Sequence, residues 1–288
     1  MRIPELLGRG KPVFSFEFFQ PKTTEDVAAF EAVVRDLRRL EPAFLTITYG
    51  AAGSAREKTF DTAAWIQRET GIAVAAHLTC IGHTRAEIDA LLDRISALGI
   101  ENIVALRGDL PQDGSAPPPE LRELPYAADL VRRVRARGRF AVAVAGYPEK
   151  HPEAPSMEED LRRLKEKVAE GADWIITQLF FDNADYFAFV ERARRAGLRC
   201  PIVPGIMPVT SFAQTRKFTA LCGARLPARM IADLEPLAED RAAVARYGVE
   251  WALRQCRGLL EGGAPGIHFY TLNKSHATST ILSRLKER

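Results

Sequence analysis

The run Ala73-Val-Ala-Ala-His-Leu-Thr79 is followed by Thr84-Arg-Ala-Glu87, an amphipathic stretch to Leu98, Gly99, and then Asn102-Ile-Val-Ala-Leu-Arg107. This passage decides the fold. Its two flanking runs are nearly continuous in apolar residues, as strands covered on both faces are. Thr84 with Glu87 is a capping box that opens a helix, and Gly99 closes it. Strand, helix and strand in about 35 residues make a βαβ unit, whose two strands lie parallel.

The same unit recurs in both directions. Further strand-like runs are Val13–Phe19, Phe44–Tyr49, Phe140–Tyr147, Trp174–Phe181, Pro201–Ile206 and Ile267–Leu272. Helical patterns fill the spaces at Thr24–Leu40, Arg56–Arg68, Ala127–Arg137, Ser156–Glu170, Asn183–Ala196, Ser211–Leu221 and Asp240–Leu260, with Ser275–Lys286 at the end. Eight units in 288 residues predict an α/β fold, a single (β/α)8 TIM barrel, as one domain over residues 1–288. A doubly wound open sheet would carry a glycine-rich fingerprint after an early strand. Neither G-x-G-x-x-G nor G-x-x-x-x-G-K-[ST] is present. Gly114–Pro119 is the one low-complexity stretch and reads as a βα loop.

Composition excludes several classes. Apolar residues make up 47% and charged residues 27% of the chain, which is ordinary for a globular protein. Forty basic and 37 acidic residues give a formal charge of +3. They recur as Arg beside Glu or Asp at helical spacing, the pattern of solvated helix faces and not of a nucleic-acid stripe. The four cysteines, Cys80, Cys200, Cys222 and Cys256, form no close pair, so a disulfide scaffold or zinc ribbon is not expected. The N-terminus has no apolar leader segment, and the longest apolar runs are too short to span a bilayer. A cytoplasmic protein with no membrane or nucleic-acid partner is expected.

Active sites of such barrels lie at the C-terminal ends of the strands, and several polar residues stand there. Glu17, between Phe16 and Phe18, must be paired or have a raised pKa; a raised pKa suits a general acid near neutral pH, and an ion pair inside the barrel is the structural alternative. Asp109 follows Gly108, which lets the backbone approach a ligand closely, though a helix cap or loop aspartate fits as well. Arg107 is placed either to hold a phosphate or to pair with Asp109. Gln178 suits hydrogen bonding to an amide-bearing heterocycle, or is a satisfied core amide. Tyr147, His151, Tyr270, Asn273 and Lys274 also fall at strand ends. No metal site is expected. His77, Cys80 and His83 are spaced so that strand geometry turns His77 and Cys80 to opposite faces, with no carboxylate to complete a set.

Eight segments in order resemble one family. They are Phe14-Ser-Phe-Glu-Phe-Phe-Gln-Pro-Lys22, Thr46-Ile-Thr-Tyr-Gly50, His77-Leu-Thr-Cys80, Ala105-Leu-Arg-Gly-Asp-Leu-Pro111, Gly146-Tyr-Pro-Glu-Lys-His-Pro-Glu153, Ile176-Thr-Gln-Leu-Phe-Phe-Asp182, Pro204-Gly-Ile-Met-Pro208 and His268-Phe-Tyr-Thr-Leu-Asn273. Together they resemble methylenetetrahydrofolate reductase, of the bacterial type that consists of the catalytic barrel alone. The resemblance implies an FAD-dependent enzyme that uses NADH or NADPH to reduce 5,10-methylenetetrahydrofolate to 5-methyltetrahydrofolate by a ping-pong scheme, in one-carbon metabolism and methionine supply. It implies Glu17 as general acid, Asp109 as the carboxylate beside the flavin, and Gln178 as the amide that touches folate and nicotinamide. Tyr49, Ala51, His77, Arg107, Gly108, Ala127, Tyr147, His151, Ala154, Asp160 and Lys167 match FAD contacts, and Thr48 a nicotinamide contact. Gln214, Phe218 and Lys274 match folate-side positions. The resemblance also implies a homodimer or homotetramer. Two residues depart from the family pattern: Gln20 stands where Pro is usual, and Lys274 where Arg is usual, which replaces a bidentate fork by a point charge.

Overall fold

The computed structural model describes residues 1–8, 10–21, 23–49, 54–109 and 118–287. Nine strands are seen among them: β1 (Val13–Phe18), β2 (Phe44–Ile47), β3 (Ala73–Thr79), β4 (Asn102–Leu106), β5 (Ala141–Gly146), β6 (Trp174–Thr177), β7 (Ile202–Val203), β8 (Gly205–Ile206) and β9 (Gly266–Tyr270). All pair in parallel, in the order β7-β6-β5-β4-β3-β2-β1-β9-β8. Strands β7 and β8 are halves of one run broken at Pro204, which has no N–H to give a ladder. The first half pairs with β6 and the second with β9, so the ring closes through the break. The expected single strand Pro201–Ile206 is therefore split, and eight strand positions form the (β/α)8 barrel.

The helices are α1 (Thr24–Arg38), α2 (Ser54–Thr70), α3 (Arg85–Ala97), α4 (Ala127–Ala136), α5 (Met157–Ala169), α6 (Asn183–Arg195), α7 (Phe212–Cys222), α8 (Ala228–Leu234), α9 (Arg241–Glu261) and α10 (His276–Lys286). Reciprocal capping boxes start α1 at Thr23 with Asp26 and α3 at Thr84 with Glu87. Ser156 caps α5 by accepting from the Glu159 N–H. Helix α8 has no counterpart in the sequence reading; at seven residues after Pro227, its periodicity is too short to stand out. Most of the Gly114–Pro119 loop lies outside the described residues. No described helix is long and apolar enough to cross a membrane.

Strand parity sorts the core into two layers. Outward residues such as Phe16, Phe18, Leu45 and Ile47 pack under the helices against Phe30, Val34 and Phe60. Inward residues near the N-terminal ends, Phe44, Ala75, Val104, Ala143 and Trp174, fill the barrel's lower interior with Ile3 and Leu7 as a plug. Further along the same strands the inward positions turn polar: Ser15, Thr46, His77 and His268 are all buried. A cavity opens above them.

Candidate active site

The cavity has a volume of about 810 Å³ and sits at the C-terminal ends of the strands, where barrel chemistry is found. That is at the large end for small-molecule sites, of order 300–1,000 Å³. Its floor holds Glu17. Parallel register sets Glu17 beside Thr46 on one side and Tyr270 on the other. Three side chains converge on Glu17 Oε2: the Thr46 hydroxyl donates at 3.1 Å, His268 Nε2 lies at 3.4 Å, and His77 Nε2 lies at 3.2 Å. His77 is near enough for ion pairing but is not oriented for a hydrogen bond, and its Nε2 has no hydrogen-bond partner. Behind His268, the Ser15 hydroxyl lies 2.8 Å from Nδ1. An ionised carboxylate can only accept, so His268 carries a proton on Nε2 whenever Glu17 is charged.

Burial by itself pushes the Glu17 carboxyl up, but charge on His77 and hydrogen bonding and charge from His268 outweigh it. The carboxyl is held well below the usual carboxylate range. Of the two expectations for Glu17, pairing is what the structure shows. With neutral imidazoles their charge is lost; burial then favours the protonated acid, while the Thr46 and His268 contacts still favour the carboxylate.

A second wall carries charges of both signs and comes from loops and from α5. Arg107 makes a bidentate pair with Glu153, with both bonds at 2.6 Å, and its Nε donates to Gly108 O at 3.0 Å. Its partner is thus Glu153; Asp109, one of the two alternatives offered by the sequence, is exposed on the rim. Gly108 takes a φ of +90°, and a Cβ there would meet Ile81 Cγ2 at 2.7 Å; both facts favour glycine. Lys167, from α5, reaches back to donate to Ala145 O at 2.6 Å. Desolvation brings its ammonium down to about 8, partly offset by Asp160. Burial also lowers His151. Its Nδ1 accepts from the Glu153 N–H at 3.1 Å, which leaves Nε2 as the donor. Burial, then Asp109 and Asp160, raise Tyr147.

Comparison with known proteins places this geometry. The family model for methylenetetrahydrofolate reductase matches residues 2–286. The chain belongs to the methylenetetrahydrofolate reductase family. It is 39% identical over 280 residues to the 5,10-methylenetetrahydrofolate reductases of Salmonella typhimurium and of Escherichia coli, covering 97% of this chain and 93% of each relative. It is 37% identical over 296 residues to methylenetetrahydrofolate reductase (NADH) 1 of Arabidopsis thaliana, covering 99% of this chain and 50% of the relative. The chain thus spans about half the length of its plant relatives. Among solved structures, a Clostridium thermocellum protein that binds two copies of 5-methyl-5,6,7,8-tetrahydrofolic acid superposes with a TM-score of 0.66 at 15% identity, covering 96% of each chain. Dihydropteroate synthase from Xanthomonas albilineans gives 0.53 at 16%, covering 96% of this chain and 92% of that one. At those identities the likeness is one of fold.

The family's expected residues largely share one cavity. Glu17, Thr48, Tyr49, His77, Arg107, Gly108 and Asp109 line it from the first four units. Ala127, Tyr147, His151, Ala154, Asp160, Lys167, Gln178 and Phe218 line it from the rest. Gln178 stands one residue past β6: its N–H still bonds Gly146 O at 2.7 Å, and its Oε1 accepts from the Leu179 N–H. Gln214 and Lys274 are exposed and do not line the cavity. Ala51 lies outside the described residues. Among those residues no cluster of three metal-ligating side chains occurs. Cys80 turns away from His77, with its thiol 3.6 Å from the carbonyls of Arg107 and Tyr126. Sequence reasoning missed Ser15 and His268 behind Glu17, and Glu153 facing Arg107. The signal for the first two was parity, since Ser15 and Glu17 share a face and so do His268 and Tyr270.

Proposed function

We propose that this chain reduces 5,10-methylenetetrahydrofolate to 5-methyltetrahydrofolate with NADH or NADPH, using FAD held in the cavity. The observation that carries the proposal is Glu17: a buried carboxylate on the cavity floor of a member of this family, with its protonation tied to two imidazoles. FAD fits the residues present. His77 Nε2 faces Glu17 Oε2 at 3.2 Å on the cavity lining without a well-formed hydrogen bond, so it keeps capacity to meet a polar group of a ligand. Arg107, Lys167 and the His151 Nε2 supply positive charge and donors for an anionic dinucleotide. Thr48, Tyr49, Gly108, Ala127, Tyr147, Ala154 and Asp160 would complete its walls. Bound FAD would supply the relay that carries hydride from nicotinamide to folate.

The chain's own residues do the rest. Glu17 acts only in its protonated form, which burial favours and charge on the imidazoles opposes; it gives that proton to the amine nitrogen of the folate five-membered ring, which opens to an iminium. His268 orients Glu17, and Ser15 orients His268. Gln178 offers an amide at the point where either flat substrate is bound in turn. Phe218, half-buried on α7, offers an aromatic face for stacking. Asp109 on the rim stabilises positive charge as it develops in the opened ring.

Two half-reactions test the proposal. FAD bound to the purified chain is expected to lose its yellow colour with NADH or NADPH and to regain it with methylenetetrahydrofolate. Loss of the nicotinamide half alone would indicate a flavin-binding subunit of a larger complex. Loss of the folate half alone would indicate another amine substrate. The expected homodimer or homotetramer is tested by light scattering.

A further inference from the structure

The loop from β5 to α5 gives the cavity Tyr147, His151, Glu153, Ala154 and Pro155. Two outside anchors hold its first residues. Arg192 donates to Pro148 O at 3.1 Å. The Glu149 carboxylate, only 7% exposed, accepts from the Arg225 backbone N–H at 3.0 Å and from its Nε at 2.9 Å. Farther on, Arg107 grips Glu153. That grip comes from a cation the proposed function assigns to an anionic cofactor, and one guanidinium cannot serve both partners at full strength. Within segment 151–154 the Ala154 N–H meets His151 O at 3.0 Å and the Glu153 N–H meets His151 Nδ1 at 3.1 Å, and the Asp160 carboxylate accepts from the His151 backbone.

Lys150 gathers the carbonyls of the same segment. Its φ is +82°, a conformation that non-glycine residues adopt only when their surroundings enforce it. From there the side chain curls back over its own loop. Its Nζ donates to His151 O at 3.0 Å and to Ala154 O, with Pro152 O at 3.5 Å. Three carbonyl oxygens thus face the three donors of one ammonium. Lys150 does not itself line the cavity, whereas the groups it gathers do: Ala154, and His151 packed edge-on against Tyr147 with ring centroids 4.7 Å apart.

We infer that Lys150 is a positioning residue whose ammonium folds segment 151–154 into the cavity wall and so sets the affinity for FAD without touching it. The inference rests on the FAD reading above.

FAD titration, followed by quenching of flavin fluorescence, separates the two. Wild type, K150M, K150G and K150R are compared, together with unliganded melting temperatures. K150M and K150G are expected to bind FAD about tenfold more weakly or worse, since charge-assisted bonds of this kind are worth at least that factor. Their unliganded melting temperatures and kcat at saturating FAD are expected to stay near wild type. K150R, which can donate to the same carbonyls, is expected to recover most of the affinity. K150M or K150G binding FAD as wild type does would overturn the role of Lys150 and leave the FAD reading standing. A fall in unliganded melting temperature parallel to the lost affinity would also overturn it, as would K150R binding no better than K150M. Wild type that binds no FAD would overturn both.

Discussion

The inward rows of the barrel are dry and packed at one end and polar and open at the other, although both ends come from the same strands. Phe44 and Thr46 are two positions apart on β2, as are Ala75 and His77 on β3. Burial does not distinguish the two ends; the way polar groups are met does. At the lower end Asn102 commits its side chain fully within the protein: Oδ1 accepts from the Ile3 N–H at 2.8 Å, and Nδ2 donates to Met1 O at 3.0 Å and Val74 O at 3.4 Å. At the upper end His77 Nε2 and His268 Nε2 converge on Glu17 Oε2 at 3.2 and 3.4 Å, and Glu17 and His77 face the open cavity. A buried polar group with every partner inside the chain is structural; one facing an open cavity has capacity left for a ligand or water. The lower end holds exceptions among the described residues, Trp174 Nε1 and Arg2 Nε, neither of which has a hydrogen-bond partner.

The largest expected effect is on chemistry at the upper end. Glu17→Gln keeps the shape and removes the acid, so folate reduction should fall by about 10²–10⁴, the usual range for general acid catalysis. Flavin reduction by nicotinamide and the melting temperature should change little. Stopped-flow of the two half-reactions checks this; equal loss in both would mean that Glu17 supports the site and does not act in it. The lower end should answer in the opposite way. Trp174→Ala should cost about 3–5 kcal/mol of stability, with FAD affinity of the folded protein preserved. Trp174→Phe, which discards the unmet N–H, should cost less than about 1.5 kcal/mol. Chemical denaturation of both variants measures the difference, and a Trp174→Phe loss as large as that of Trp174→Ala would show that the indole N–H has a partner after all.

The two ends were not equally legible. Parity and apolar runs foretold the strands, because a strand covered on both faces has few other compositions. Glu17 stood out because a carboxylate between phenylalanines has to be explained. Its setting was not legible: His268 lies 251 residues away in sequence, and only the β1–β9 register brings Ser15 beside it. For Arg107 the sequence offered a phosphate or its near neighbour Asp109, but a loop 46 residues on provides Glu153, and sequence carries no signal for loop-to-loop closure. Gln214 and Lys274 were carried over by motif alone; α7 and the turn after β9 leave both exposed.

A smaller effect tests satisfaction itself. Asn102→Ala strands the Ile3 N–H, which should cost about 1–3 kcal/mol, while leaving both half-reactions at wild-type rate. A loss of activity in that variant would break the separation of the two ends.

The last effect is a pH dependence at the wall that holds Lys167. The Lys167 ammonium sits at about 8 in the unliganded fold, against roughly 10.4 in an unfolded chain. Between those values the unfolded state binds the extra proton, so unliganded stability should rise with pH across that window. FAD affinity should move the other way. An anionic ligand prefers the charged ammonium, so affinity should be flat below pH 8 and fall above it by up to about tenfold per unit. Lys167→Met should abolish both trends at once, weakening FAD at neutral pH while removing the rise in stability. Melting curves and FAD titrations from pH 7 to pH 10 read the two slopes on one protein. Slopes of the same sign would mean that Lys167 serves the packing of α5 against β5 and not the ligand.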